Sequence, residues 1–454
     1  MEETKTIDVQ AFINEHRFSP FQWLIFAMCF VIVLMDGFDT AAIGFIAPSL
    51  LSGWQISKAA LAPVLSAALL GLALGAMTAG PIADAWGRRR VLIAAVFLFG
   101  AASFVSGYAS NLSELTLLRF VTGVGLGAAM PNALTVMSEF CPDGRRATIV
   151  SMMFSGFPLG AAFGGFVAAW MIPHVGWRGV LQFGGAVPLV LAILLVLLLP
   201  ESIRYMVAKQ HPAEKIRSVL SRISGDARFA ASFTMNERIA HDRRRGGIRV
   251  VLSRSYIVGT LMLWITYFMG LVIFYGFMNW MPLLFNEAGI PAQRASMISA
   301  LFPLGGVTAI FCGMLMDRLN ADRVVATCYA LAAVSVYAIG HALGQMGVLI
   351  CSVIAAGILV SAAQASLPSL AANFYPTAGR GTGIAWMLGV GRFGGIAGSF
   401  LVAELARMQV SLPGIFAVFA GASLIAAAAL WVKKMATNTA SVADVPTESE
   451  SLAH

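Results

Sequence analysis

Apolar residues arrive along this chain in blocks of about 20, the length that crosses ~30 Å of hydrocarbon at about 1.5 Å per helical residue. Twelve such blocks are predicted to form helices, at 22–48, 59–80, 91–109, 114–136, 147–171, 179–199, 256–281, 295–316, 324–342, 347–371, 381–406 and 412–432. A polar stretch, 201–254, separates the sixth block from the seventh. The pattern predicts an all-α membrane protein of twelve transmembrane helices in two six-helix bundles, 21–200 and 255–435. Around them lie an N-terminal segment 1–20, a linker loop 201–254 with one or two short surface helices, and a disordered tail 436–454.

Composition agrees: 58% of the 454 residues are hydrophobic and 11% are charged, against roughly 25% charged in soluble domains. A water-soluble globule of this length could not solvate such a surface. Many of the 45 glycines recur inside spans, as at Gly71, Gly75, Gly123, Gly125, Gly127, Gly156, Gly160, Gly164 and Gly165. Small residues four apart let membrane helices approach closely. The five cysteines, an odd number at unrelated spacings, indicate neither a disulfide framework nor a metal site. The first apolar block is too long for a signal-peptide core and lacks a cleavage site, so it is expected to remain as a span.

The net charge of +8 invites a nucleic-acid reading, which the placement of the charges removes. Arg88, Arg89, Arg90, Arg145, Arg146, the basic residues of 204–254, Arg318, Arg323, Arg380, Lys433 and Lys434 fall in one set of alternate loops. The opposite loops hold little beyond Lys58, Arg178, Arg294 and Arg407. The positive-inside rule then predicts an inner-membrane protein with both termini and the central loop cytoplasmic. The arginines of that loop suit a solvated face or lipid headgroups, and no nucleic acid is called for.

The halves repeat each other. Gly80-Pro81-Ile82-Ala83-Asp84 after the second span matches Gly313-Met314-Leu315-Met316-Asp317 after the eighth, 233 residues on. Glu139-Phe140-Cys141-Pro142 with Arg146 matches Asn373-Phe374-Tyr375-Pro376 with Arg380, at an offset of 234. Two matches at nearly one offset imply duplicated bundles related by an axis along the membrane normal, with a substrate cavity expected at their interface near the midplane.

Charges inside the apolar blocks carry the candidate chemistry, because a midspan charge costs a few kcal/mol or more and needs a partner or a watery cavity. Asp36 and Asp39 are three apart, so in a helix both carboxyls share a face. Two carboxyls desolvated together cannot both stay charged cheaply, which suits a proton carrier; a polar pair fixing helix packing is the alternative. Arg119 lies in the fourth span, where a structural arginine bonded to carbonyls is the alternative to a functional one. Arg392, in the eleventh, is the one full cation expected in the second half's membrane core. A guanidinium grips a carboxylate through two parallel hydrogen bonds, so Arg392, with Arg119 second, is the candidate carboxylate ligand. Tyr267, Tyr275, Asn279, Trp280, Gln364 and Trp386 are candidates to stack on a ring and bond its hydroxyls, although an aromatic in a span is commonly packing or interface belt. His341 reads as structural. No His-Glu-x-x-His helix and no phosphate loop in a strand–helix context occurs, so an enzyme is not expected, and no domain is large enough for a sensor's output.

Over nearly its full length the chain resembles the major facilitator superfamily. The loop Gly80 to Arg90 is similar to that family's signature between helices 2 and 3, which gates the cytoplasmic side; only Ala85, where a basic residue is usual, departs from it. The resemblance implies gating roles for Gly80, Asp84, Gly87, Arg88 and Arg89, and for Asp317, Arg318 and Arg380 in the second half. Arg119 with Gly123, Gly125 and Gly127 resembles the family's helix 4 motif for proton or anion handling. More narrowly, Asp36-Gly37-Phe38-Asp39-Thr40 and the following Ala41 to Pro48 resemble the aromatic acid:proton symporter family. The runs Ile7 to Asn14, Thr266 to Ile273, Phe374 to Thr377 and Gly391 to Gly394 agree with it too, and lie closest to its 4-hydroxybenzoate/protocatechuate permeases. The resemblance implies proton-coupled uptake of a small aromatic carboxylate without a cofactor, with Asp36, Asp39, Arg119 and Glu139 coupling the proton; a monomer is expected because each chain holds both halves of the cavity. A drug:proton antiporter, which Ser155 to Gly160 faintly resembles, and an aliphatic dicarboxylate symporter are the alternatives. Symport also suits the energetics: moving a monoanion into a negative-inside cell costs about 2.3 kcal/mol per 100 mV, and one accompanying proton cancels that charge.

Overall fold

The computed structural model describes residues 6–230, 232–234, 249, 251–375 and 379–443, and the chain divides into two compact units, Met1–Ile239 and Ala240–His454. Among the described residues ten helices are long and apolar enough to cross a membrane, where twelve apolar blocks were counted. The difference lies in two glycine breaks. The fifth and sixth blocks are two helices that meet at a kink at Gly176, whose φ of 74° suits glycine's freedom at positive φ, with no loop between them to separate the two in the count. The eighth block is divided by a 3-10 turn, Gly305–Thr308, into two pieces each too short to count. Counted by the apolar segments they carry, the twelve crossings remain.

The first unit contains α1 (Val9–Glu15), α2 (Pro20–Trp54), α3 (Lys58–Trp86), α4 (Arg88–Ser106), α5 (Leu112–Glu139), α6 (Arg146–Phe154), α7 (Gly156–Leu198), α8 (Ile203–Ala208) and α9 (Ala213–Leu220). Local chemistry sets the starts. Ser19 caps α2 in a reciprocal box with Gln22, and Pro20 opens the helix where its missing N–H is no loss. Ser57 and Asn111 cap α3 and α5 through their side-chain oxygens.

Interleaved glycines hold α3 against α5. A Cβ at Gly71 would meet the Phe120 carbonyl oxygen at 2.0 Å, at Gly75 that of Val124 at 2.1 Å, at Gly123 that of Ala68 at 2.0 Å, and at Gly127 that of Leu72 at 2.1 Å. Backbone therefore lies on backbone, and the spacing of four singled out in the sequence is the contact itself. Helices α2 and α7 meet in the same way, with Gly37 on the Phe157 carbonyl and Gly160 on that of Leu34.

The N-terminal segment is tied to the rest of this unit. Strand β1 (Thr6–Asp8) pairs in parallel with β2 (Ser232–Thr234), Asp8 caps α1, and Val9, Phe12 and Ile13 are buried. Asn14 and Asp143 exchange two hydrogen bonds of 2.8 Å, and Arg204 donates to Gln10 at 2.9 Å. The linker helices α8 and α9, expected on the surface, bury Ile203, Met206, Ile216 and Leu220, because their amphipathic faces have an apolar surface to cover.

The second unit contains α10 (Ile257–Glu287), α11 (Ala292–Leu304), α12 (Ala309–Arg318), α13 (Ala321–His341), α14 (Met346–Phe374), α15 (Arg380–Arg407) and α16 (Leu412–Ala443). It repeats the close approach of the first: a Cβ at Gly305 would lie 2.1 Å from the Gly357 carbonyl carbon, and one at Gly357 2.1 Å from the Phe302 oxygen. Its core gathers Leu263, Val325, Tyr329, Ala363, Leu367 and Leu430.

Two predictions come from these contacts. Gly127→Ala forces α3 from α5, and is expected to cost the purified protein about 1–3 kcal/mol as an overpacked core does. Gly53→Ala, with nothing within 4 Å, should leave the thermal midpoint in place. His16, hydrogen-bonded to Asp226 at 3.0 Å, has its pKa raised above 6.5 chiefly by that bond. The tie is therefore fully present below pH 6.5 and lost as pH rises through the higher folded-state value. Amide-exchange protection of Val9–Glu15 should fall from pH 6 to pH 8, and His16→Gln should remove that dependence.

Candidate functional site

Two polar centres stand inside the apolar helices of the first unit. In the deeper one, Arg119 of α5 grips Asp39 of α2 through two parallel bonds, Nη1 to Oδ1 and Nη2 to Oδ2, each 2.8 Å. Nη2 also donates to the Asp39 carbonyl at 3.2 Å, and Ser103 Oγ of α4 donates to Oδ1 at 2.9 Å. Arg119 is 0% exposed and Asp39 1%. Taking two charges out of water costs several kcal/mol each, recovered only with close geometry and further hydrogen bonds, which Ser103 and the backbone supply here. Asp36 is buried one helical turn away on the same face. Each of these groups is thus either half of an ion pair or a titratable acid held out of water. A proton delivered to Asp39 would cancel its hold on Arg119 and leave a bidentate cation seeking another carboxylate.

The second centre lies at the linker-side end of α3, α4 and α5. Glu139, 3% exposed, is in direct contact with the Arg88 guanidinium and accepts a short bond from Ser202 Oγ. Asp84, the partner expected for the arginine run, is 3.6 Å from Arg88 and largely exposed. Glu201 accepts from the Arg89 N–H at 3.0 Å, and its carboxylate lies where a side chain at Gly87 would stand, 2.5 Å from the ideal Cβ. Gly87 has φ 97°, so the turn itself calls for glycine. Arg89 donates to the Val196 carbonyl at 2.5 Å. Gly80 is exposed, with nothing within 4 Å of its Cβ position.

In the second unit Arg392, half-buried on α15, follows Gly391, on which the Tyr267 ring rests. Gln364 of α14 accepts from the Tyr329 hydroxyl at 2.8 Å and reaches the Tyr267 carbonyl at 3.5 Å. Asn279 donates to Ser399 Oγ at 2.8 Å and its neighbour Trp280 to the Ser399 carbonyl at 3.0 Å, so both tie α10 to α15. Tyr275 packs on Gly395, and the Trp386 ring lies 5.8 Å from that of Trp264. Arg318 and Arg380 are exposed, and the side chain of Asp317 lies outside the described residues. His341 bonds the Tyr337 carbonyl at 3.0 Å. Sequence reasoning missed Ser103, Glu201, Ser202, Tyr329 and Ser399. The one signal that pointed to any of them was Glu201-Ser202 standing directly after the sixth span.

Comparison with known proteins adds the following. The family model of the Major Facilitator Superfamily matches residues 29–309 and 263–454. A 4-hydroxybenzoate transporter, PcaK, of Pseudomonas aeruginosa is 46% identical over 434 residues, covering 95% of this chain and 97% of the relative. A gallate transporter of Pseudomonas putida is 44% identical over 427 residues, covering 93% and 94%. Among solved structures, the inward-open xylose transporter XylE from E. coli aligns with a TM-score of 0.70 at 16% identity, covering 90% and 96%.

The ion pair makes a stability prediction. Arg119→Leu alone should destabilise the purified protein by roughly 3–5 kcal/mol, because it strands a buried carboxylate, whereas Asp39→Leu combined with Arg119→Leu should recover most of that loss. Thermal unfolding of the two single variants and the double variant reads the difference.

Proposed function

The chain belongs to the major facilitator superfamily, a multi-pass membrane transporter and not an enzyme, and from that premise we propose that it carries a small aromatic carboxylate such as 4-hydroxybenzoate or protocatechuate inward, together with protons, by alternating access. The relatives named for 4-hydroxybenzoate and gallate support the substrate class. The arginine asymmetry of the loops supports an inner-membrane setting with both termini cytoplasmic. A monomer suffices, since one chain holds both repeats.

The observation that carries the coupling is the buried Asp39–Arg119 pair. With Asp39 ionised, both Nη groups of Arg119 are occupied and the pair is neutral as a unit. Protonation of Asp39 uncovers one positive charge in a medium of low dielectric, where an unpaired charge is costly. An incoming carboxylate lowers that cost, so proton and anion favour each other's binding through the same group. Asp36 is the second protonatable acid of the helix, Arg392 the cation offered to the carboxylate in the other unit, and Tyr267, Tyr275 and Trp386 the rings available for stacking. The Arg88–Glu139 centre, with Asp84, Arg89 and Glu201, is the linker-side gate.

Uptake of radiolabelled 4-hydroxybenzoate into vesicles with an imposed pH gradient tests the reading. Accumulation should be abolished by an uncoupler. Asn at position 39 cannot release a proton, so Asp39→Asn should lose at least tenfold in accumulation, about 1.4 kcal/mol of driving force, while still exchanging labelled for unlabelled acid. Accumulation that an uncoupler leaves intact would remove the proton from the mechanism. If 4-hydroxybenzoate, protocatechuate and gallate all fail to enter, the substrate class is wrong.

A further inference from the structure

Tyr329 is fully buried among apolar side chains of the second unit, on a helix that the uptake mechanism has not used. A phenol in such a place needs a partner for its hydroxyl. It has one: the hydroxyl donates to Gln364 Oε1 at 2.8 Å. Space for this bond is kept by Gly270 of α10, where a Cβ would lie 1.9 Å from Gln364 Oε1 and 2.4 Å from the Tyr329 hydroxyl. Three helices thus meet on one neutral hydrogen bond, and any side chain at Gly270 would part it.

The bond decides which way the Gln364 amide faces. With Oε1 accepting from Tyr329, Nε2 points toward the Tyr267 carbonyl at 3.5 Å, a contact at the outer limit for a hydrogen bond. Turning the amide over would set two acceptor oxygens against each other there, and would face the Tyr329 hydroxyl with an N–H₂, so that its own buried O–H lost the oxygen it now bonds. The favoured orientation leaves the N–H₂ of half-buried Gln364 with donor capacity beyond that one long contact. That donor adjoins Tyr267, whose ring rests on Gly391, the residue before Arg392 in the chain. Two half-buried residues, Arg392 and Gln364, therefore neighbour Tyr267: one follows the glycine beneath its ring and the other reaches its carbonyl.

We propose that Tyr329 is a positioning residue that orients the Gln364 amide to donate to the ring-hydroxyl oxygen of an aromatic acid whose carboxylate is held at Arg392. This rests on the aromatic-acid uptake argued above and assigns the part of the site that tells a hydroxylated ring from a bare one. A site built to bond a substrate hydroxyl discriminates strongly against the analogue lacking it, because its own polar group is then left unpaired. Tyr329 touches no substrate. Its hydroxyl acts by holding the amide in one orientation.

The test is competition against labelled 4-hydroxybenzoate by unlabelled 4-hydroxybenzoate and by benzoate, in the unaltered protein and in Tyr329→Phe, normalised to folded transporter recovered by gel filtration. Phe fills the same volume and removes one hydroxyl. The apparent KM for 4-hydroxybenzoate should rise about tenfold, the worth of one oriented hydrogen bond, with the maximal rate changing far less, so that the preference over benzoate falls by about the same factor. Gly270→Ala reaches the same bond from the other side without altering either partner, and should shift the preference in the same direction. A purely structural tyrosine would lower the maximal rate or weaken both acids in parallel, and either result, or an unmoved preference, overturns the proposal. If the unaltered protein takes up no hydroxylated aromatic acid, the uptake reading has failed and the proposal falls with it. If uptake is normal and the preference does not move, only the assignment of Tyr329 has failed.

Discussion

A guanidinium with no exposure to solvent is the constraint around which the first unit is arranged. A buried guanidinium is a buried cation, so the fold must provide an anion at bonding distance or bear several kcal/mol of unpaired charge. Asp39 meets that need from α2, and Ser103 from α4 fills a remaining acceptor site. Three helices are thereby fixed in register at one depth. The glycine contacts on either side make such register possible: α5 lies backbone to backbone on α3 through Gly123 and Gly127, and α2 on α7 through Gly37 and Gly160. Bulkier residues at those positions would move both ends of the ion pair by more than its bonds tolerate.

The duplication explains the scaffold, and its imperfections explain the chemistry. At the offset of 233 residues Gly37 corresponds to Gly270, and both sit in close approaches. At the same offset Val272 and Ser352 stand where the first unit has Asp39 and Arg119, so the second unit keeps the packing and drops the charges. Neutral ties join several of its helices: Tyr329 to Gln364, Tyr375 to Thr260 at 2.9 Å, and Asn279 to Ser399. Neutral ties of this kind cost little to bury when satisfied and do not change with protonation at physiological pH. Among the described residues the second unit has its buried charged pair elsewhere, Lys433 with Asp322, and none at the positions of Asp39 and Arg119.

The spans were legible because hydrocarbon imposes a length and a composition that no short-range propensity overrides. The breaks were less so. Gly176 and Gly305 look like many other glycines in the chain, and only the turn they permit distinguishes them. The candidate charges could be named one by one, since each is expensive where it stands. Their pairing could not be read: Asp39 and Arg119 are 80 residues apart, and Asp36, three residues away, was the nearer partner to imagine. Ser103 and Tyr329 gave no signal at all, because a lone serine or tyrosine in an apolar helix costs too little to be conspicuous. Arg88 was drawn to Asp84 by proximity in sequence, whereas burial favours Glu139, which loses less to solvent screening.

The linker-side ends show how the same helix start can be stabilised in two unequal ways. In the second unit Asp322 occupies the first turn of α13, where the helix dipole favours a negative charge, and buried Lys433 of α16 pairs with it at 2.6 Å. Charge, dipole and partner all agree there. In the first unit α4 opens on Arg88-Arg89-Arg90, three cations at the end where cations are disfavoured. That start is acceptable only because acids come from elsewhere: Glu139 from the end of α5, and Glu201 from beyond α7, which also takes the Arg89 N–H. The first arrangement is self-sufficient, and the second depends on contacts between separate helices. Moving α5 or the linker away from α4 would therefore expose a repulsive cluster, while α13 and α16 would hold through any motion that keeps those two helices together. The contacts that hold the arginine run at α4 are thus ones whose strength changes whenever those helices move apart.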